Sequence, residues 1–406
     1  MRRLLFIFSF FSLLVVDGKA QEVETLTLED CLRIGIDNNL SLEGKRKEIQ
    51  KSKYGVSENR SKLLPQITVI AGYNNNFDPP VSVTDGSSYG VPYNITKTLQ
   101  HTANAGLEMQ MPLFNQTLYT SMSIAKVVEE ISRLSYGKAR EDIILQISKM
   151  YYLGQVTAEQ IVLIKANITR LEELRDITRA FFDNGMSMEV DLKRVNINLE
   201  NLKVQYDNAQ AMMKQQLNML KYIMDYPAEK EIALTPVNTD SITTVALTGL
   251  SENLYELQLT QSQLELAERQ KRMITNGYIP SLSLTGNWRY AAYTDKGYHW
   301  FHSGPSNHWF RSYGLGLTLR IPIFDGLDKT YKIRKAMIDI ENRKLAWEDT
   351  RKNLQTQYLN AVNDLMNNQR NFKKQKDNYL LAEDVYAVTS DRYREGIASM
   401  TEVLQD

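Results

Sequence analysis

The chain has 406 residues, and its 48 Lys and Arg are matched by 48 Asp and Glu, so the formal net charge is zero. Bases and acids are interspersed, which leaves no cationic footprint for nucleic acid and excludes that class of partner. With a single cysteine, Cys31, no internal disulfide can form.

Met1 to Ala20 reads as a secretory signal peptide. Arg2 and Arg3 give a basic start, Leu4 to Val16 an apolar run, and Gly18-Lys19-Ala20 a small-residue cleavage site, so the mature chain is expected to begin near Gln21. The run is shorter than the ~20 residues a membrane helix needs. No later stretch is long and apolar enough, although strands of about ten alternating residues barely register on a hydropathy scan. Cys31 lies too far from the cleavage site for lipidation. Within Leu28-Glu29-Asp30-Cys31-Leu32 it reads as a small buried helix residue.

The mature chain is expected to repeat itself with an offset of roughly 210 residues. Residues 21–248 form a first repeat of helix, two strands, long helix, return helix and linker; residues 249–406 form a second that lacks the final return helix. In the first, a helix is expected from Ser41 to Lys62. The Leu63-Leu64-Pro65 entry then leads to a strand, Gln66 to Tyr73, with Ile67, Val69, Ala71 and Tyr73 on one face and Ile70 spoiling the other. After a long polar loop, Tyr73 to His101, a second strand runs from Thr102 to Leu113. It separates Ala103, Ala105, Leu107, Met109, Met111 and Leu113 from Asn104, Gly106, Glu108 and Gln110, and it leaves through Pro112. Leu118 to Phe182 reads as one helix of ~95 Å at ~1.5 Å per residue. The Gly185 turn and a return helix, Val190 to Met224, follow.

The second repeat begins with a helix from Leu254 to Thr275 and the entry Tyr278-Ile279-Pro280. Ser281 to Tyr290 alternates Leu282, Leu284, Gly286, Trp288 and Tyr290 with polar residues that include Arg289. A loop, Ala291 to Arg311, carries Trp300, Phe301, Trp309 and Phe310. Tyr313 to Ile323 alternates leucines with Gly314, Gly316, Thr318 and Arg320 and leaves through Pro322. Lys329 to Tyr393 is the second long helix, ending at the Gly396 turn.

Alternation of this kind arises in a soluble sandwich or in a membrane barrel. Four strands complete neither alone. Their ten to twelve residues match a tilted membrane strand, and charges fall only on the polar face, which favours a barrel shared among subunits. Both long loops connect the far ends of paired strands, as outer-membrane loops do; their aromatics mark an interface belt or pack the loop on itself. A soluble coiled-coil spacer would explain the heptads but not the strands.

In the order of these elements the chain resembles the TolC-like outer-membrane efflux channels. The matches are Leu26-Thr27-Leu28-Glu29-Asp30-Cys31-Leu32 with Asn38-Asn39, the strand entries at Pro65 and Pro280, the strand exits at Pro112 and Pro322, and the turns at Gly185 and Gly396. The resemblance implies a mixed α and β fold: a homotrimer whose four strands per chain close one twelve-stranded outer-membrane β-barrel, continuing into a periplasmic α-helical coiled-coil tunnel. It implies a periplasmic adaptor (membrane fusion protein), an inner-membrane pump and outer-membrane lipid as partners. It also implies a gate at the helix tips, where Asp191 and Glu402 match acidic ring positions and Tyr393 a gate-holding tyrosine. This chain departs from that pattern at Ala398, where an arginine is common, and at Gln405, where a second acid is common. Its second repeat stops at Asp406, as if truncated.

The function expected is a passive exit duct of a tripartite efflux or type I secretion system. The rivals are a periplasmic structural or adaptor protein without a pore, and a porin-like surface protein. No catalytic residue, cofactor site or metal site is expected. His101, His299, His302 and His308 lack ligand spacing, and a solvated loop accounts for His299-Trp300-Phe301-His302 better than a metal does. Two glycosylation-like patterns, at Asn94 and Asn115, carry no weight.

Overall fold

The computed structural model describes residues 23–97, 99–237, 249, 251, 253–294 and 308–405. The expected signal peptide lies outside them. In chain order the elements are β1 (Glu24–Leu26), α1 (Leu28–Asn38), α2 (Leu40–Ser61), β2 (Gln66–Asn75), β3 (Val81–Asp85), β4 (Tyr93–Lys97), β5 (His101–Phe114), α3 (Gln116–Asp183), α4 (Glu189–Met224), β6 (Ile232–Leu234), α5 (Tyr255–Asn276), β7 (Ser281–Thr294), β8 (His308–Arg320), α6 (Asp328–Arg394) and α7 (Met400–Gln405). No helix among the described residues is long and apolar enough to cross a membrane. The chain divides into two compact units: Met1–Gly44, Ala139–Gly249 and Leu359–Asp406 in one, Lys45–Lys138 and Leu250–Tyr358 in the other.

In the first unit β1 pairs in parallel with β6, Glu24 opposite Ile232 and Leu26 opposite Leu234. Thr27 then opens α1 through a capping box. Its hydroxyl accepts from the Asp30 N–H at 3.2 Å, while the Asp30 carboxylate accepts from the Thr27 N–H at 3.3 Å. The helix delivers Cys31, fully buried as expected, to a cluster with Leu26, Ile147, Tyr151, Leu220 and Met224. Burial first, and the Asp30 charge second, push its thiol up to about 11, which suppresses thiolate chemistry. Asn39, only 9% exposed, does two jobs at the start of α2. Its side-chain oxygen accepts from the Leu42 N–H at 3.1 Å, and its amide donates to the Ile223 carbonyl at 2.7 Å, tying this corner to the end of α4.

In the second unit β2, β5, β7 and β8 form one antiparallel sheet in that order. Polar links set the helices beside it: Asn276 donates to the Thr120 hydroxyl at 2.6 Å, Arg46 to the Tyr136 hydroxyl at 3.3 Å and Arg343 to the Gln263 amide oxygen at 3.2 Å. Asn115, one of the two glycosylation-like positions, caps α3. Its oxygen accepts from the N–H groups of Thr117 at 3.0 Å and Leu118 at 3.3 Å.

Three expectations need correction. The Tyr73 to His101 loop contains a hairpin, β3 with β4, Val81 opposite Lys97 and Asp85 opposite Tyr93. The Ala291 to Arg311 loop is shorter than expected, because β7 continues to Thr294 and β8 already starts at His308; Trp300 and Phe301 lie outside the described residues. Finally, β8 ends at Arg320 rather than Ile323. Pro322 has no N–H to give a ladder, and a turn with positive φ at Gly326 and Leu327 leads directly into α6.

Candidate functional site: a two-faced sheet and a pair of helix turns

The register of the sheet decides which side chains share a face. Val69 lies opposite Leu107, Leu107 opposite Trp288, and Trp288 opposite Tyr313. Likewise Ile67 meets Met109, Met111 meets Leu284, and Leu284 meets Leu317. The expected apolar positions of all four strands therefore fall on one face. That face is bare: Leu315 is 80% exposed and Val69 74%. A contiguous apolar surface of this size is a liability in water unless something covers it.

The opposite face carries Gln66, Thr68, Glu108, Gln110, Thr285 and Asn287, with Thr68 opposite Glu108 and Glu108 opposite Asn287. Arg289 donates to Glu108 at 2.9 Å. Glycines concentrate here too. A Cβ on Gly106 would lie 2.4 Å from the Trp288 carbonyl oxygen, so glycine lets β5 and β7 approach closely. The outer edges of β2 and β8 have no partner strand among the described residues. An open sheet with one oily face is incomplete by itself.

At the rim Trp309 joins the apolar face opposite Ala292, and Phe310 packs on Tyr293 with centroids 6.2 Å apart. His101, the first residue of β5, shares a 2.9 Å hydrogen bond between its Nδ1 and the Tyr73 hydroxyl. His299 and His302 lie outside the described residues. Among the described residues no group of His, Cys, Asp and Glu side chains could hold a metal ion.

The strand-boundary prolines sit differently from one another. Pro65 and Pro280 each immediately precede a strand, β2 and β7. Pro112 lies inside β5, where the pairing with β7 shifts just beyond it. Pro322 lies two residues past the end of β8.

In the other unit, α3 and α6 both end in glycine turns. Gly185 has φ 72° and Gly396 φ 76°, a region glycine enters without steric cost. The Gly185 N–H donates to the Phe182 carbonyl at 2.9 Å and the Met186 N–H to the Phe181 carbonyl at 2.8 Å. The second turn repeats this from Gly396 to Tyr393 and from Ile397 to Arg392.

Asp191 and Glu402 each lie in the first turn of the helix that follows, where an acid is favoured by the helix dipole. Asp191 approaches Arg194 at 3.8 Å. The Glu402 carboxylate accepts from the Ser399 hydroxyl at 3.0 Å, and that hydroxyl accepts from the Glu402 N–H at 3.3 Å. The sequence Ser399-Met400-Thr401-Glu402 signals this cap directly.

Tyr393 is 5% exposed, in a cluster with Leu174, Val195, Met400 and Val403. The Thr178 hydroxyl gives its proton to the Leu174 carbonyl at 2.7 Å, so it accepts from the Tyr393 hydroxyl at 3.1 Å. Phe181 packs on the ring, centroids 5.6 Å apart. Burial first, with the Asp191 charge adding to it, holds the phenol above its ordinary value. Thr178 and Phe181 were not legible as partners of Tyr393. Ala398 packs as a small apolar neighbour of this cluster, and Gln405 ends α7.

Comparison with known proteins places this arrangement. The family model described as "Outer membrane efflux protein" matches residues 34–224 and 250–405. The chain belongs to that family. A relative, the outer membrane protein TolC of Vibrio cholerae, is 21% identical over 319 residues, covering 76% of this chain and 66% of that protein. The probable efflux pump outer membrane protein TtgC of Pseudomonas putida is 24% identical over 344 residues, covering 79% and 67%. The chain thus spans about two thirds of the length of these family members. Among solved structures, the outer-membrane channel OprN superposes with a TM-score of 0.75 at 15% identity, over 93% of this chain and 82% of that one. CusC superposes at 0.74 and 16% identity, over 93% and 84%. The fold is that of the outer-membrane efflux channels, and the chain is an outer-membrane protein.

Proposed function

We propose that this chain is a passive outer-membrane exit duct of a tripartite efflux or type I secretion system. Three copies pair β8 of one with β2 of the next, closing a twelve-stranded barrel that leaves no edge. The observation that carries this reading is the four-stranded sheet: one face apolar and bare, the other polar, and both edges without a partner strand among the described residues. Lipid covers the first face, water fills the other, and neighbours take the edges. Solute delivered by an inner-membrane pump through a periplasmic adaptor passes without chemistry, so the chain is not an enzyme.

The glycine turns at Gly185 and Gly396, with Asp191, Tyr393 and Glu402, form the periplasmic gate. Their support is positional: both acids begin helices just beyond the turns, and Tyr393 anchors the second turn to Thr178. Purified mature chain in planar bilayers tests the duct. Trimers with stepwise conductance are expected, and a silent trimer favours a structural protein without a pore. For the gate, Glu402→Ala should weaken block by multivalent cations from the helix side; unchanged block removes Glu402 from the ring.

A further inference from the structure

The polar face of the sheet is sparsely charged, and its charges do not cancel. Across β2, β5, β7 and β8 the only Asp, Glu, Lys or Arg on that face among the described residues are Glu108, Arg289 and Arg320. The first two neutralise each other at 2.9 Å. Arg320, the last residue of β8, lies opposite Ser281, exposed and without an ion pair among the described residues. It shares a hollow with Gln66, Gln110, Ser283 and Thr318. The one other charged group there is a cation, Lys62, held by Glu58 at 3.4 Å. Each copy therefore contributes one uncompensated positive charge at the helix-side end of the sheet.

We propose that Arg320, repeated three times around the closed barrel, forms a cationic ring that favours anions in the conduction path. This rests on the duct reading above. Twelve strands ~4.8 Å apart and tilted by ~40° give a backbone radius of about 12 Å. The guanidinium reaches inward to within about one Debye length, ~8 Å, of the axis. Three such charges, screened in water, enrich a monovalent anion roughly threefold on the axis and deplete a monovalent cation by a similar factor. The effect compounds with valence, so a tetravalent anion is enriched on the order of fifty-fold.

The test is block of single trimers in planar bilayers by hexacyanoferrate(II), added to each side in turn at 0.15 M salt. Wild type should be blocked, Arg320→Lys should keep the block, and Arg320→Gln should weaken it at least tenfold. Ser281→Glu sets a carboxylate opposite Arg320 and should weaken it similarly without altering the arginine, which guards against misassembly of the glutamine variant. Glu108→Gln combined with Arg289→Gln, which leaves net charge unchanged, should leave the block intact. Conducting Arg320→Gln and Ser281→Glu trimers blocked as strongly as wild type overturn the ring and leave the duct standing. Wild-type trimers that never conduct overturn the duct, and the ring with it.

Discussion

A single charged substitution can decide whether the apolar face of the sheet meets hydrocarbon. Leu315 lies mid-strand on β8, 80% exposed, flanked on its face by Tyr313 and Leu317 and opposite Gly286. If that face meets lipid, Leu315→Arg puts a guanidinium near the bilayer midplane at about 2–4 kcal/mol per copy, or ~6–12 kcal/mol over three copies. Asn287→Arg, on the neighbouring strand but the polar face, is the control. It lies opposite Glu108, so its charge faces water beside an acid, and it should cost less than about 1 kcal/mol. Urea unfolding of trimers folded into liposomes, read by trimer survival on unheated gels, measures both. Leu315→Arg should collapse trimer yield while Asn287→Arg stays near wild type. Equal tolerance of the two would refute the lipid assignment, because a face in water accepts arginine as readily as its opposite.

Three further outcomes follow from the other unit. Asn39→Ala removes two buried hydrogen bonds and strands the Leu42 N–H and Ile223 carbonyl, so denaturant unfolding should show a loss of about 2–3 kcal/mol, against nearly none for exposed Asn38→Ala. The Tyr226 hydroxyl donates to Glu24 at 2.6 Å, and that bond, with lesser burial, pushes its phenol up to about 12. The unfolded phenol ionises near 10, so this contribution is intact below pH 10 and lost as pH rises to about 12; a Tyr226→Phe variant should show a shallower alkaline decline in a pH series of melts. Cys31, fully buried with its thiol near 11, should resist maleimide at pH 7.5 in folded trimers and react fully in denaturant.

Much of the fold was legible because its signals are local. Period-two alternation follows from the strand itself, so the two faces of β2, β5, β7 and β8 could be drawn before their partners were known. Three-four spacing without internal proline similarly announced α3 and α6. The β3–β4 hairpin escaped because Val81-Ser82-Val83-Thr84 is a short alternation inside a polar, proline-flanked stretch. The end of β8 escaped because apolar alternation persists to Ile323 where the hydrogen-bond ladder does not.

The contacts at the two glycine turns lie deeper. Tyr393 stood out in the sequence only by resemblance; that its hydroxyl meets Thr178, 215 positions away, was not readable at all. The same holds for Asn39, whose amide finds a carbonyl 184 residues on. Sequence alone determined which residues prefer oil and which prefer water, since that preference belongs to each side chain. Tertiary structure alone decided which of them touch, and that Glu108 silences Arg289 while Arg320 has no ion pair among the described residues, because register and packing set distances that no local pattern encodes.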